Sequence, residues 1–145
     1  MKPRDAEIRS LVAQWLQKAD LDYKTVIQLC AEAGFGDIVA FHAQQAVEKY
    51  LKALLTRHQV EFPKTHELER LVELVASVEP EVALAGADAI WLSRFGVEIR
   101  YPGDRPETLP GDEDRFLELA KTVRDAVMTV LDPYLVLVGE AADQS

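Results

Sequence analysis

The stretch that decides the fold runs from Ala40 to Leu55 and reads AFHAQQAVEKYLKALL. At a helical period of 3.6 residues the apolar side chains fall on one face of a helix. This face carries Val39, Ala43, Ala46, Val47, Tyr50 and Leu54. The small alanines in this face allow a neighbouring helix to approach closely. A polar stripe lies beside it and carries His42, Gln45, Lys49 and Lys52. The stretch is therefore predicted to be an amphipathic helix with a basic polar edge.

The charge of the chain is unevenly distributed. The formal net charge is −9, which argues against nonspecific nucleic-acid binding, because that binding depends on Lys and Arg neutralising phosphates. Residues 37–70, in contrast, carry five basic and five acidic residues and all three histidines. A neutral, histidine-bearing region thus lies in an acidic background.

Composition also sets limits on the class of protein. The chain has 145 residues, 48% of them hydrophobic and 28% charged, as expected for one globular domain. Its start is charged and lacks a signal-peptide apolar region, and no apolar run approaches the roughly 18 residues that span a bilayer. We therefore expect a cytoplasmic protein with no membrane partner.

Cys30 and the three histidines lack metal-ligand spacing, so no metal and no cofactor are predicted, and Cys30 is interpreted as a buried structural thiol.

Apolar residues spaced at three and four predict five helices along the chain. Gly34 and Gly36 end the first helix, Asp37 and Thr65 are expected to cap the second and third, and Pro133 disturbs or ends the fifth. The expected ranges are about 4–32, 37–58, 66–77, 81–97 and 112–133, with a short helix or strand-like tail over 134–138. No strand alternation competes with this pattern. The predicted fold is all-α, an antiparallel up-and-down bundle forming one domain over 1–138, with a frayed tail over 139–145.

Three motifs in order resemble the HEPN domain, named for higher eukaryotes and prokaryotes nucleotide-binding. They are FHAQQAVEKYLKALL over 41–55, KTHEL over 64–68 and RYP over 100–102, and the resemblance covers about residues 5–130. It implies an all-α bundle that is frequently dimeric and that acts on or binds nucleotide or RNA. It also implies, for a prokaryotic member, a frequent pairing with a minimal nucleotidyltransferase, in some cases as toxin and antitoxin.

Many HEPN proteins are ribonucleases that use an Arg followed, after four to six residues, by a His near the last main helix. This sequence departs from that pattern, because no histidine follows His66, and Arg57 has His58 directly beside it. Arg100, Tyr101 and Asp104 stand at the expected place instead. Tyrosine is a poor general base near neutral pH, and an aspartate serves only if its environment is strongly perturbed. The resemblance therefore supports the fold, while the departure from the Arg–His pattern argues against the usual nuclease site.

The candidate ligand-binding residues each carry a functional and a structural interpretation. His42 and Gln45 either face a nucleotide or form hydrogen bonds inside the bundle. Lys49 and Lys52 either bind phosphate or solvate the helix surface, where Glu48 would pair with Lys52.

The remaining candidates flank the third and fourth helices. His66 is expected in the first turn of the third helix, where free N–H groups favour an anion, or it is incidental to a helix cap. Arg100 is the favoured charged candidate because a guanidinium binds phosphate bidentately, and its alternative is an ion pair with Asp112. Tyr101, followed by Pro102, would fix the exit of the chain.

The preferred hypothesis is a noncatalytic HEPN-type bundle that forms a homodimer, binds nucleotide or RNA and pairs with a minimal nucleotidyltransferase in a toxin–antitoxin-like system. The first alternative is an atypical HEPN ribonuclease that combines Arg100, Tyr101 and Asp104 with His42 or His66 across a dimer interface. The second is a purely structural helical adaptor for a basic protein partner.

Overall fold

The structure is a computed structural model and describes residues 3–96, 102–103 and 107–143. Within these residues it contains five α-helices, one 3₁₀ helix and no strand, so the predicted all-α bundle is confirmed. The elements are α1 (Pro3–Cys30), α2 (Gly36–Arg57), α3 (Leu68–Ala76), α4 (Pro80–Ala87), the 3₁₀ helix (Asp88–Phe95) and α5 (Asp112–Asp143).

The first two helices form an antiparallel hairpin. Gly34, in the connection between them, has a φ of +94°, which a glycine adopts without steric cost. Contacts at both ends fix the register of the pair: Trp15 packs edge-on to Phe62 just beyond α2, and Asp22 contacts α2 through His42. The hairpin places the polar edge of α2 against α1.

The central element of the bundle is α2, which contacts α1, α3, α5 and the 3₁₀ helix. Fourteen of its 22 residues are buried, including the charged Glu48 and Lys52. A helix enclosed on most sides must bury its polar face as well as its apolar one. The predicted amphipathic helix is therefore present, but its polar edge faces other helices as much as solvent.

The helical segment after α2 differs in detail from the prediction. α3 begins at Leu68, because the backbone of Glu67 is extended (φ −83°, ψ 108°). The Thr65 hydroxyl accepts a hydrogen bond from the Glu67 N–H and does not cap a helix that starts at His66. His66 therefore lies before the helix and not in its first turn. The expected fourth helix is divided into α4 and the 3₁₀ helix, whose tighter winding brings Ala89, Leu92 and Phe95, each three residues apart, into the core.

α1 and α5 also show differences from the expected pattern. Leu11 and Ile27 belong to the predicted apolar stripe of α1 but are about half exposed, and Cys30 is only partly buried. α5 continues through Pro133, so the segment after it is helical and not a strand-like tail. Pro133 supplies no backbone N–H, which removes one hydrogen bond from that turn of the helix. In the described residues, no helix is long and apolar enough to cross a membrane.

Candidate functional site

The candidate site is a set of polar side chains on and around α2, here called the α2 polar cluster: Asp22, His42, Gln44, Gln45, Glu48, Lys49, Lys52 and His66. α1 supplies Asp22, the segment before α3 supplies His66, and α2 supplies the rest. The cluster forms two hydrogen-bonded groups on neighbouring turns of α2, one around Glu48 and one around Asp22.

Glu48 is the centre of the first group. Its side chain is only 4% exposed, and its carboxylate contacts Lys52 Nζ at 3.2 Å and His66 Nδ1 at 2.8 Å. Gln44 Nε2 donates a third hydrogen bond to it at 3.3 Å. A buried carboxylate requires this degree of compensation, since removing its charge from water is costly. The sequence indicated an ordinary surface pair of Glu48 and Lys52, but the structure places that pair in the interior.

Lys52 is enclosed by aromatic rings as well as by its carboxylate partner. Its side chain is 9% exposed, and its Nζ lies 5.5 Å from the ring centre of Trp15 and 5.7 Å from that of Phe62. The negative faces of aromatic rings attract a cation, which compensates part of the lost hydration. The ammonium group is thus engaged within the protein and is not presented to a phosphate.

Asp22 organises the second group from α1. Its Oδ1 lies 2.9 Å from His42 Nδ1, and its Oδ2 lies 2.5 Å from Lys49 Nζ. Both candidate side chains from α2 are therefore held by the same carboxylate across the helix pair. With Asp22 and Glu48 opposing Lys49 and Lys52, the formal charge of the cluster is balanced when its histidines are neutral.

The two glutamines have different positions. Gln44 is fully buried and donates to the backbone carbonyl of His66 at 3.0 Å, while Gln45 Nε2 donates to Gln44 Oε1 at 2.6 Å. Gln45 was the predicted candidate, whereas Gln44 was not singled out, although it holds the segment before α3 against α2. The consecutive glutamines in the sequence were the available signal for this.

His66 is the most accessible member of the cluster. Its side chain is 60% exposed, although its Nδ1 contacts the buried Glu48 and its carbonyl accepts a hydrogen bond from Gln44. A ring held at one nitrogen has a defined orientation, and the hydrogen bond at that nitrogen influences which nitrogen carries the proton. The structure therefore presents an anchored imidazole at the surface above the Glu48 group.

The structure brings together five of the seven predicted site residues. His42, Gln45, Lys49, Lys52 and His66 all belong to the α2 polar cluster. Arg100 and Tyr101, together with Asp104 of the alternative ribonuclease site, lie outside the described residues. No group of His, Cys, Asp and Glu side chains in the described part of the chain could hold a metal ion.

Tyr50 and Cys30 are among the described residues outside the cluster whose pKa is shifted. The phenol of Tyr50 donates to Asp20 Oδ1 at 2.5 Å, and burial together with this carboxylate raises the pKa of Tyr50 well above its ordinary value.

Cys30 lines an open cavity of about 630 Å³ between the α1–α2 connection and the start of α5. Desolvation, followed by the charge of Asp114, raises the pKa of the Cys30 thiol. A thiol with a raised pKa is less reactive near neutral pH, which agrees with a structural role.

Comparison with known proteins identifies the family. The HEPN domain family model matches residues 12–131, which is most of the chain and includes all of α2, α3, α4 and the 3₁₀ helix. No curated protein and no solved structure gives a significant match. The helical bundle and the family model agree with the motifs of α2 and of the segment before α3, and the chain belongs to the HEPN domain family.

Proposed function

We propose that this HEPN domain is a noncatalytic binding module, which forms a homodimer, binds nucleotide or RNA beside His66 and pairs with a minimal nucleotidyltransferase in a toxin–antitoxin-like system. HEPN domains often dimerise and bind RNA, which supports the general part of this proposal. The ligand class, the noncatalytic role and the identity of the partner go beyond the family assignment.

The observation that carries the proposal is the presentation of His66. The ring is largely exposed, yet the segment that bears it is fixed to α2 at two points, through Glu48 and through Gln44. An exposed side chain that is already ordered loses less conformational entropy when it binds a ligand. This is the property expected of a recognition residue.

The electrostatics of the cluster indicate how a nucleotide would be recognised. Lys49 and Lys52 are already paired with Asp22 and Glu48, so a phosphate would compete with an existing carboxylate for each ammonium group. Imidazole and amide groups hydrogen-bond to base edges, and an imidazole also stacks on base faces. We therefore propose that this surface contacts the base or ribose, and that the cluster lysines support the fold.

The test is a two-dimensional amide NMR titration of the labelled protein with ATP and then with a short single-stranded RNA. We expect saturable shifts at and around His66 and the exposed edge of His42, which disappear in His66→Ala. The matched control is Lys121→Ala, because Lys121 is exposed on α5 and pairs only with Asp125 among the described residues. If neither ligand produces saturable shifts, the nucleotide-binding proposal fails and the adaptor alternative is favoured.

A ribonuclease remains the second candidate, because one contact favours it. A carboxylate that holds His66 Nδ1 and leaves the rest of the ring accessible is an arrangement that suits a general base. We would incubate the purified protein with RNA across the pH range, beside His66→Ala and Glu48→Gln. Cleavage that is lost in His66→Ala would replace the noncatalytic proposal with this one, whereas equal backgrounds in all three proteins would reject it.

A further inference from the structure

Two arginines from different elements contact the ring of Trp91. Trp91 and Arg94 belong to the 3₁₀ helix, and Arg115 belongs to the start of α5. Residues three apart in a 3₁₀ helix lie one above the other, so the tight winding of this segment places Arg94 over Trp91. The guanidinium carbon of Arg94 lies 5.6 Å from the ring centre of Trp91, and that of Arg115 lies 5.1 Å from it.

The core of the bundle holds the Trp91 ring in place. The ring stacks on Phe116 at an interplanar angle of 22° and packs edge-on to Phe95, and both phenylalanines are buried. An arginine that rests on a fixed aromatic ring loses less conformational freedom when it binds a ligand, and its N–H donors remain available at the edge of the guanidinium. Trp91 therefore orders both cations in advance of a ligand.

Neither Arg94 nor Arg115 forms an ion pair in the part of the chain that the structure describes, and both are exposed. The first turn of α5 carries three carboxylates, those of Asp112, Glu113 and Asp114. Two of them accept hydrogen bonds from N–H groups of the loop before α5, and the third lines the cavity beside Cys30. The two guanidinium carbons are at most about 11 Å apart, which is comparable to the Debye length of about 8 Å at physiological salt, so both cations act on an anion between them.

The element that bears Arg94 is attached to the segment that bears His66. The Ser93 hydroxyl accepts a hydrogen bond at 2.8 Å from the N–H of the first residue of α3, two residues after His66. Gly96 follows the 3₁₀ helix and approaches Gln44 so closely that a β-carbon at Gly96 would lie 3.1 Å from the Gln44 side-chain amide. Gln44 in turn donates to the carbonyl of His66. Arg94 lies between these two attachments and is therefore next to the segment that carries His66.

We propose that Arg94 and Arg115 bind the phosphates of a single-stranded RNA, one nucleotide of which contacts His66 through its base or ribose; this inference rests on the function proposed above. The arginines supply what the α2 polar cluster lacks, because its lysines are already paired with carboxylates. Guanidinium groups bind phosphate oxygens through paired N–H donors. A strand offers a phosphate for each nucleotide and can occupy both arginines, whereas a nucleoside monophosphate offers one phosphate.

The experiment measures the affinity of the full chain for a short single-stranded RNA over a range of salt concentrations, by fluorescence anisotropy. Each phosphate contact that is lost lowers the slope of log affinity against log salt by about 0.7 for a single strand. We expect Arg94→Gln to weaken binding about tenfold and to lower the slope by this amount, and the double variant with Arg115→Gln to weaken binding about a hundredfold and to lower it by about 1.4. His66→Ala should weaken binding and leave the slope unchanged, because its proposed contact is to a base or ribose.

Two further variants serve as controls. Arg4→Gln removes the same charge from the start of α1, where Arg4 contacts Gln59, and should keep the affinity and slope of the wild type. Arg94→Lys retains the charge without the paired donors, so it should keep the slope and bind more weakly.

The outcomes separate this inference from the function on which it rests. RNA binding that weakens in His66→Ala but keeps its affinity and slope in the double arginine variant would overturn this inference and leave the proposed function in place. AMP that binds as tightly as the RNA would overturn the assignment of the ligand to a strand. If the wild type binds neither RNA nor AMP, the proposed function and this inference both fail.

Discussion

Lys52→Met tests whether the ion pair at the centre of the bundle is as dry as its geometry indicates. The change removes the ammonium group that lies 3.2 Å from Glu48 and leaves a carboxylate whose side chain is 4% exposed. Removing one partner of a buried ion pair costs about 3–5 kcal/mol, because the remaining charge is left without compensation. His66 and Gln44 still contact Glu48, so we place the loss near the lower value, about 3 kcal/mol.

The aromatic neighbours of Lys52 alter this value only slightly. Each cation–π contact, with Trp15 and with Phe62, is worth about 0.5–1 kcal/mol. The methionine that replaces Lys52 recovers part of this through contact between its thioether and the rings. The uncompensated charge of Glu48 therefore accounts for most of the expected loss, and removing that charge should restore stability.

The assay is urea unfolding followed by far-UV circular dichroism, applied to Glu48→Gln, Lys52→Met and the double variant. We expect Glu48→Gln to cost about 2 kcal/mol and the double variant to lie within about 1 kcal/mol of the wild type, since neutral groups of similar shape need no charged partner. The control Lys121→Met removes an exposed pairing with Asp125 and should show no measurable change. A loss below about 1 kcal/mol in Lys52→Met, or additive losses in the double variant, would refute the reasoning.

Three further predictions concern other parts of the bundle. Gln59→Gly should raise the free energy of unfolding by about 0.5–1 kcal/mol, measured by urea unfolding, because Gln59 has a φ of +55° where α2 ends. A loss of stability would instead show that its contact with Arg4 matters more than its backbone conformation. Tyr50→Phe should cost about 1–2 kcal/mol through loss of its bond to Asp20. Because the pKa of Tyr50 is raised in the folded state, its contribution is complete below the unfolded-state pKa of about 10 and declines progressively as pH rises above it, so the difference between the urea midpoints of wild type and Tyr50→Phe should narrow with increasing pH. Cys30 should react with iodoacetamide more slowly at neutral pH than an unhindered thiol, and faster as pH rises, since its pKa is raised; a rate equal to that of free cysteine would contradict this.

The sequence was sufficient for the fold class because the apolar periodicity of α1, α2 and α5 is long and regular. It was less informative where short-range geometry decides the structure. The extended backbone of Glu67 delays α3, and the winding from Asp88 to Phe95 tightens to 3₁₀, although the apolar residues there also fit an α-helix. The exposure of Leu11 and Ile27 depends on which neighbours α1 meets, which its own periodicity does not specify.

Helical periodicity also predicted part of the candidate site, namely the residues that α2 contributes to it. One helical wheel placed His42, Lys49 and Lys52 on a common edge of α2, and the structure confirms that they share it. Their partners were not predictable, because the contact of Asp22 with two of them depends on the register of the α1–α2 hairpin. A lysine appears equally polar in sequence whether it meets water or a buried carboxylate, so the distinction between phosphate binding and internal pairing required the fold.

The central position of α2 has a consequence for experiments that follow amide hydrogen exchange. An amide in a helix contacted by most of the other elements is released only when those contacts open together, so exchange across the middle of α2 should report global unfolding. Amides near Gln59, at its end, can exchange through local opening at lower free energy. A ligand bound beside His66 would therefore slow exchange in the core of α2 through overall stabilisation, while additional protection confined to the residues around His66 would identify where that ligand binds.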